Sequence, residues 1–381
     1  MPRAVQFGLA VLSLLVASIA AGLTGSATLG AGMATARADT IRFGAILPLT
    51  GPGALIGTQQ MHGLQFAVAK ANADGGVRGN TIEILFEDNQ AKPDQSILSF
   101  NKLVDLQKVP LIFSAYSGPS LAMAPLATRK MILLINAGAQ ADKLATASPY
   151  LVNTLPTIGD EVKVISQYLI GEGKKRGAIL FENDAAGIAG RDDFVKHFPA
   201  AGGTILAQEP AQFGQTDYRP ALLKLADAKP DVMLVSVTAG LLQMAQQYRQ
   251  LDLGFTVAGT TFFADPDTVA DPASRGFVHT QVRIDAPAEL AAEFRTKFGV
   301  EMEFFVRQYY NAMQIVLATT DRVLAEGKPL TGETLHDALF AIRKFQGLIP
   351  LEFNSNTATV PLDINEMKDG RDVTVKRMSS D

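Results

Sequence analysis

Short apolar runs alternate with stretches of helical spacing along most of this chain. The first run, residues 41–47 (IRFGAIL), precedes Pro48, Gly51, Pro52 and Gly53, which predicts a buried strand and a loop. Met61, Leu64, Phe66, Val68 and Ala69 give residues 57–73 an apolar side, and Asp74-Gly75-Gly76 stops that helix. A strand over 81–86 ends in Glu87-Asp88-Asn89, and a helix over 93–107 begins at a proline. Buried strands at 110–114 and 132–135 flank another helix. This rhythm predicts a parallel sheet with right-handed crossovers.

After a short strand at 150–154 and a boundary at 156–159, the pattern restarts. Strands are expected at 178–181, 204–207, 232–237, 257–259 and 277–282, with helices at 161–170, 189–198, 218–226 and 239–251. The texture then changes to three helices (289–298, 304–325, 334–342) and a tail of short strand-like runs (349–353, 359–364, 373–378). Helices without strands of their own must cover another unit's sheet. This segment is therefore expected to return to the first unit, with the tail reaching the second. Fold class follows: α/β, two Rossmann-like lobes with parallel central sheets, several chain crossings, a hinge and a cleft.

The stretch from Pro110 to Lys143 carries the most chemistry. Its turn, Tyr116-Ser117-Gly118-Pro119, predicts a helix with Pro119 at the first position and Ser117 or Gly118 as cap. Free backbone N–H groups at such an end can hold a carboxylate or phosphate. The loop Asn136-Ala137-Gly138-Ala139-Gln140 leaves the next strand at the same end of the sheet, where open α/β sheets bind ligands. An ordinary capped helix would have the same local sequence.

Composition narrows the classes. Residues 1–38 have a short basic start, an apolar run over 7–21 and Ala36-Arg37-Ala38, the layout of a secretory signal cleaved after Ala38. Losing Arg3 and Arg37 takes the formal charge from −4 to −6, and no basic cluster offers a nucleic-acid or membrane surface. There is no Cys, which excludes disulfides, a thiol nucleophile and a lipid-modified cysteine. His62, His197, His279 and His336 are not spaced as metal ligands, and no cofactor or metal is expected. Gly51-Pro-Gly53 through Gly57 has the wrong spacing for a dinucleotide fingerprint, and no nucleophile elbow occurs. Glu87/Asp88 and Asp265/Asp267 read as strand-end and loop acids, the Tyr309-Tyr310 and Phe304-Phe305 pairs as core. No enzyme constellation is present.

The phrase IRFGAILPLTGPGALIGTQQMHGLQFAVAKANADGGVRGNTIEILFEDNQAKPDQS resembles the N-terminal signature of the periplasmic substrate-binding proteins of ABC importers, Leu/Ile/Val-binding group. The likeness continues through PLIFSAYSGPS, the Asp231 strand and Val257-Ala-Gly. It implies a type I periplasmic-binding fold with crossings near Gly159, Arg283 and Val360. The lobes would be residues 39–158 plus 284–359, and 159–283 plus 360–381. It also implies a monomer that closes on a small carboxylate-bearing ligand and docks to an ABC permease in the inner membrane. A ligand sensor feeding a receptor or regulator is the alternative.

By the same resemblance, Ser117 and Gly118 stand where the family grips the ligand carboxylate, with Gly138 and Gln140 as a second contact. Ile56 and Tyr116 would line the apolar part. Thr261 stands where amino-acid binders place a Glu for the ligand's ammonium, and Ala186 and Thr238 stand where they place aromatics. A buried ammonium without a carboxylate is costly. The ligand is thus expected to be a branched-chain amino acid or an aliphatic or aromatic acid lacking the amine.

Overall fold

Five parallel strands in the order β2-β1-β3-β4-β5 form the first sheet of the computed structural model, which describes residues 39–378. The expected leader and its cleavage site lie outside those residues. The chain runs β1 (Thr40–Leu47), α1 (Ala54–Ala73), β2 (Thr81–Asp88), α2 (Pro93–Asn101), β3 (Leu111–Ser114), α3 (Ser117–Lys130), β4 (Leu133–Asn136) and β5 (Leu151–Asn153). Strands β3, β4 and β5 are buried throughout, as near-continuous apolar runs in a parallel sheet should be.

The second sheet has seven strands, β14-β13-β10-β9-β8-β6-β7. It is built from α4 (Ile158–Gly171), β6 (Arg176–Glu182), α5 (Ala185–Ala200), β7 (Thr204–Ala211), α6 (Arg219–Asp227), β8 (Val232–Ser236), α7 (Leu241–Gln250), β9 (Thr256–Gly259), α8 (Pro266–Ala270) and β10 (Val278–Val282). Then come α9 (Ala288–Phe298), α10 (Phe304–Ala325), α11 (Gly332–Ile342), the small pair β11 (Lys344–Phe345) and β12 (Leu351–Glu352), and the hairpin β13 (Leu362–Lys368) and β14 (Arg371–Arg377). Strand β10 pairs antiparallel with β13, so the tail completes the second sheet. Helix α10 packs along α1, and both Tyr309-Tyr310 and Phe304-Phe305 are buried there. The chain therefore passes between the sheets after β5, after β10 and before β13.

Several local expectations need correction. The expected helix at 93–107 is α-helical only to Asn101; a wider π turn over Lys102–Leu106 follows, with Leu103 and Val104 buried. The run at 359–364 is a strand only from Leu362, since Pro361 has no N–H for a ladder. Helix α3 starts at Ser117, so Pro119 is its third residue. The cap is Tyr116, at φ 61° and ψ 138° and without a side-chain cap bond.

Gly63 marks the closest approach of α1 and α10. A Cβ there would stand 2.4 Å from the Val306 carbonyl oxygen and 3.1 Å from the Tyr310 nitrogen. Gly63→Ala should cost roughly 1–3 kcal/mol and lower the melting temperature, because both obstacles are backbone. An unchanged melting temperature would mean the helices separate freely.

Candidate functional site

The start of α3 is assembled from the segments that follow β3 and β4 of the first sheet. Tyr116 N–H donates to the Gly138 carbonyl at 3.4 Å, and the Ser117 hydroxyl oxygen accepts from Ala141 N–H at 3.2 Å. Ser117 is buried, Gly118 partly so. Among the described residues nothing accepts from the Ser117 or Gly118 amide. Gly138 is required by space, since a Cβ would lie 2.6 Å from Gln60 Nε2 and 2.8 Å from the Tyr309 hydroxyl. Tyr309 uses its hydroxyl on the Ser114 carbonyl at 2.7 Å, which fixes the end of β3. Three polar groups near this turn are buried without a partner: both amide atoms of Gln60, the Tyr116 hydroxyl and Gln140 Oε1. Buried polar atoms are normally bonded, so such a group of exceptions needs a reason.

The second sheet supplies the opposite wall. Phe213, past the end of β7, meets the Tyr116 ring edge-on at 6.0 Å. Burial holds the Tyr116 phenol well above its ordinary pKa, and the charges of Glu182, Asp184 and Asp265 add to this. Glu182 ends β6 and accepts from Thr238 N–H at 2.9 Å, Thr238 Oγ1 at 2.5 Å and Ala239 N–H at 3.2 Å. Asp184 caps α5 through Gly187 N–H at 2.7 Å, placing Ala186 in that helix's buried first turn. Asp265 accepts from Thr268 through one oxygen, and the other is buried without a partner. Ile56 and Thr238 line one cavity of about 180 Å³ with Pro52, Phe262 and Asp265. The structure thus brings Tyr116, Ser117 and Gly138 together, and sets Ile56 of α1 against Thr238, which follows β8 of the second sheet.

Gln140 and Thr261 have a different neighbour. Both bind Glu161, a fully buried carboxylate in the first turn of α4. Glu161 accepts from Thr261 N–H at 2.7 Å, Thr261 Oγ1 at 2.8 Å, Thr280 Oγ1 at 2.6 Å and Gln140 Nε2. Burial raises its pKa, against the pull of these donors. One carboxylate therefore joins a loop of the first sheet to two elements of the second.

A family model described as periplasmic binding protein matches residues 40–370. The chain belongs to the periplasmic binding protein family. Among this binding protein's relatives, the Leu/Ile/Val-binding protein BraC3 of Rhizobium johnstonii is 27% identical, over 78% of this chain and 84% of its own. Leu/Ile/Val-binding protein homolog 3 of Brucella melitensis is 23% identical over 89% and 95%. A solute-binding protein of an ABC transporter from Rhodopseudomonas palustris, solved with 3,4-dihydroxybenzoic acid, superposes with a TM-score of 0.81 at 25% identity, over 90% and 98%. The branched-chain amino acid binding protein LivJ of Streptococcus pneumoniae, solved with isoleucine, gives 0.78 at 22%, over 89% and 100%. The binding protein thus has the type I fold and the family expected from its N-terminal phrase. Among its described residues no helix is long and apolar enough to cross a membrane.

Sequence reasoning missed Glu161, Glu182, Asp184, Gln60 and Phe213 in this binding protein. A second acid beside Asp160 in the first turn of α4 and an acid closing a buried strand were the available signals. Gln60 and Phe213 had none, since their importance depends on which loops meet.

Burial raises the Glu182 pKa from 4.5 to about 7. Between those values the folded chain holds a proton that the unfolded chain has lost, so this group's contribution to stability falls as pH rises from 4.5 through 7. Replacing it by Gln removes the titration. The stability difference between wild type and Glu182→Gln should therefore shift against wild type by up to roughly 3 kcal/mol from pH 4.5 to 8. Denaturant melts at a series of pH values measure it, and a pH-independent difference would contradict the assignment.

Proposed function

We propose that the protein is the extracytoplasmic solute-binding component of an ABC importer. It takes up a small carboxylate-bearing solute between its two lobes, residues 39–158 plus 284–359 and 159–283 plus 360–381, and delivers it to a membrane permease. The observation that carries this reading is the cluster of unpartnered buried polar groups at the start of α3. The Ser117 and Gly118 amides and the positive end of the helix dipole receive the carboxylate, with Gln60 and Tyr116 donating beside them. The three chain crossings act as the hinge, and ligand stabilises the closed arrangement through contacts made on both walls. No covalent step is involved.

The ligand is an aliphatic or aromatic acid without an α-amine. An α-ammonium needs a free carboxylate beside the carboxylate grip. Thr261 offers none, and Glu161 already accepts four hydrogen bonds. Among the described residues the one buried carboxylate oxygen without a partner, Asp265 Oδ1, lies by the Ile56 and Thr238 cavity. The benzoate-type ligand of the Rhodopseudomonas relative supports this reading. The names of the Leu/Ile/Val-binding relatives support the rival one, a branched-chain amino acid.

A thermal-shift panel separates the two. Benzoate, 4-hydroxybenzoate, 3,4-dihydroxybenzoate and 4-methylpentanoate should raise the melting temperature, while L-leucine and L-isoleucine should not. At 100 times its dissociation constant a ligand adds about 2.7 kcal/mol, readily seen as a shift. Stabilisation by the amino acids alone would reverse the choice of ligand. Tyr116→Phe should leave the unliganded melting temperature unchanged, because the hydroxyl has no partner in the fold, and weaken binding about 10-fold. Undiminished affinity would remove Tyr116 from the site.

A further inference from the structure

A cavity of about 350 Å³ lies where the second and third crossings meet, sharing no residue with the cleft wall formed by Ile56 and Thr238. Gln281 and Arg283 line it from β10 and its exit, Asp363 and Asn365 from β13, and Arg307 from α10. Arg283 is already satisfied: its Nε donates to Asp363 Oδ2 at 2.8 Å and a second nitrogen donates to Oδ1. Other groups are not. Arg307 Nε, Gln281 Oε1 and Asn365 Oδ1 are buried with no hydrogen-bond partner among the described residues. Gln281 is 9% exposed and Asn365 6%. Their amide nitrogens are occupied, on the Val282 carbonyl at 3.2 Å and Asp372 at 2.9 Å, so each presents its oxygen.

The lining has both signs of charge. Asp285, Glu303, Asp372 and Arg377 face the same space, and among the described residues no ion pair joins Asp285, Glu303, Arg307 or Arg377 to a partner. A simple anion would be set against Asp285 and Glu303, and a simple cation against Arg307. A molecule with both charges offers a partner to Arg307 and to the two amide oxygens at once, and pairing is what makes burial of such groups tolerable. We infer that this cavity is a second ligand site, taking a small zwitterion whose carboxylate lies on Arg307 and whose ammonium lies on the Gln281 and Asn365 oxygens. Arg307 belongs to a helix packed on α1, whereas Gln281 and Asn365 belong to the second sheet. An occupant therefore bridges the two halves at the crossings and biases their relative arrangement. This inference does not depend on which solute the cleft takes.

Calorimetric titration of the full chain with glycine, L-alanine and L-glutamine tests it, with propionate and ethylamine as single-charge controls. At least one zwitterion should bind at least 10-fold more tightly than either control, and Arg307→Gln should weaken it by 10-fold or more. A crystal of the wild-type protein grown with the best zwitterion locates it, and keeps the test valid if the variant folds poorly. Density for the molecule against Arg307 supports the inference. Ordered water alone in the cavity, no zwitterion binding, or equal affinity in Arg307→Gln overturns it.

Discussion

Glu161 is the constraint on which the arrangement of this molecule rests. A carboxylate removed from water must be given donors or a proton, and leaving it unmatched costs several kcal/mol. Here Gln140 reaches it from the loop after β4, Thr261 from beyond β9 and Thr280 from β10. Gln140 lies more than a hundred positions before Thr261 and Thr280, yet all three must meet at one point. Helix α4 can then start in one place only, where Thr157 and Asp160 close its first turn reciprocally. The first crossing is fixed, and with it the approach of one sheet to the other.

From that fixed point the chemistry of the cleft follows. Parallel strands end at one edge, where the first turn of α1 presents Ile56 and the segments after β3 and β4 present Tyr116 and Gly138. The second sheet returns Phe213, Thr238 and a set of buried acids. The first-sheet side is rich in unused donors, and the opposite side in acceptors. That polarity suits a molecule with a carboxylate at one end and an apolar or hydroxylated body. Among the described residues the one buried carboxylate oxygen left unpartnered on that wall is Oδ1 of Asp265.

The sheet strands were legible because parallel, doubly covered strands are written as uninterrupted apolar runs; residues 111–114, 133–136 and 232–236 are wholly buried. Helix α10 could be placed to the residue from its periodicity. The start of α3 was legible as a polar turn but not in its geometry: Tyr116 takes a positive φ that a Ser-Gly-Pro phrase gives no reason to expect. Nor could Thr261 and Gln140 be assigned to Glu161, since local sequence does not encode which loops meet between the two sheets. The same reason hid Gln60, whose amide matters only because Gly138 leaves it room.

The unpaired amides at the start of α3 are where a ligand carboxylate should land. A crystal structure with the acid that most raises the melting temperature tests it directly. A carboxylate oxygen should lie within about 3.2 Å of the Ser117 or Gly118 nitrogen, with the ligand body between Tyr116 and Phe213. A carboxylate bound elsewhere, with those two amides untouched, would contradict it.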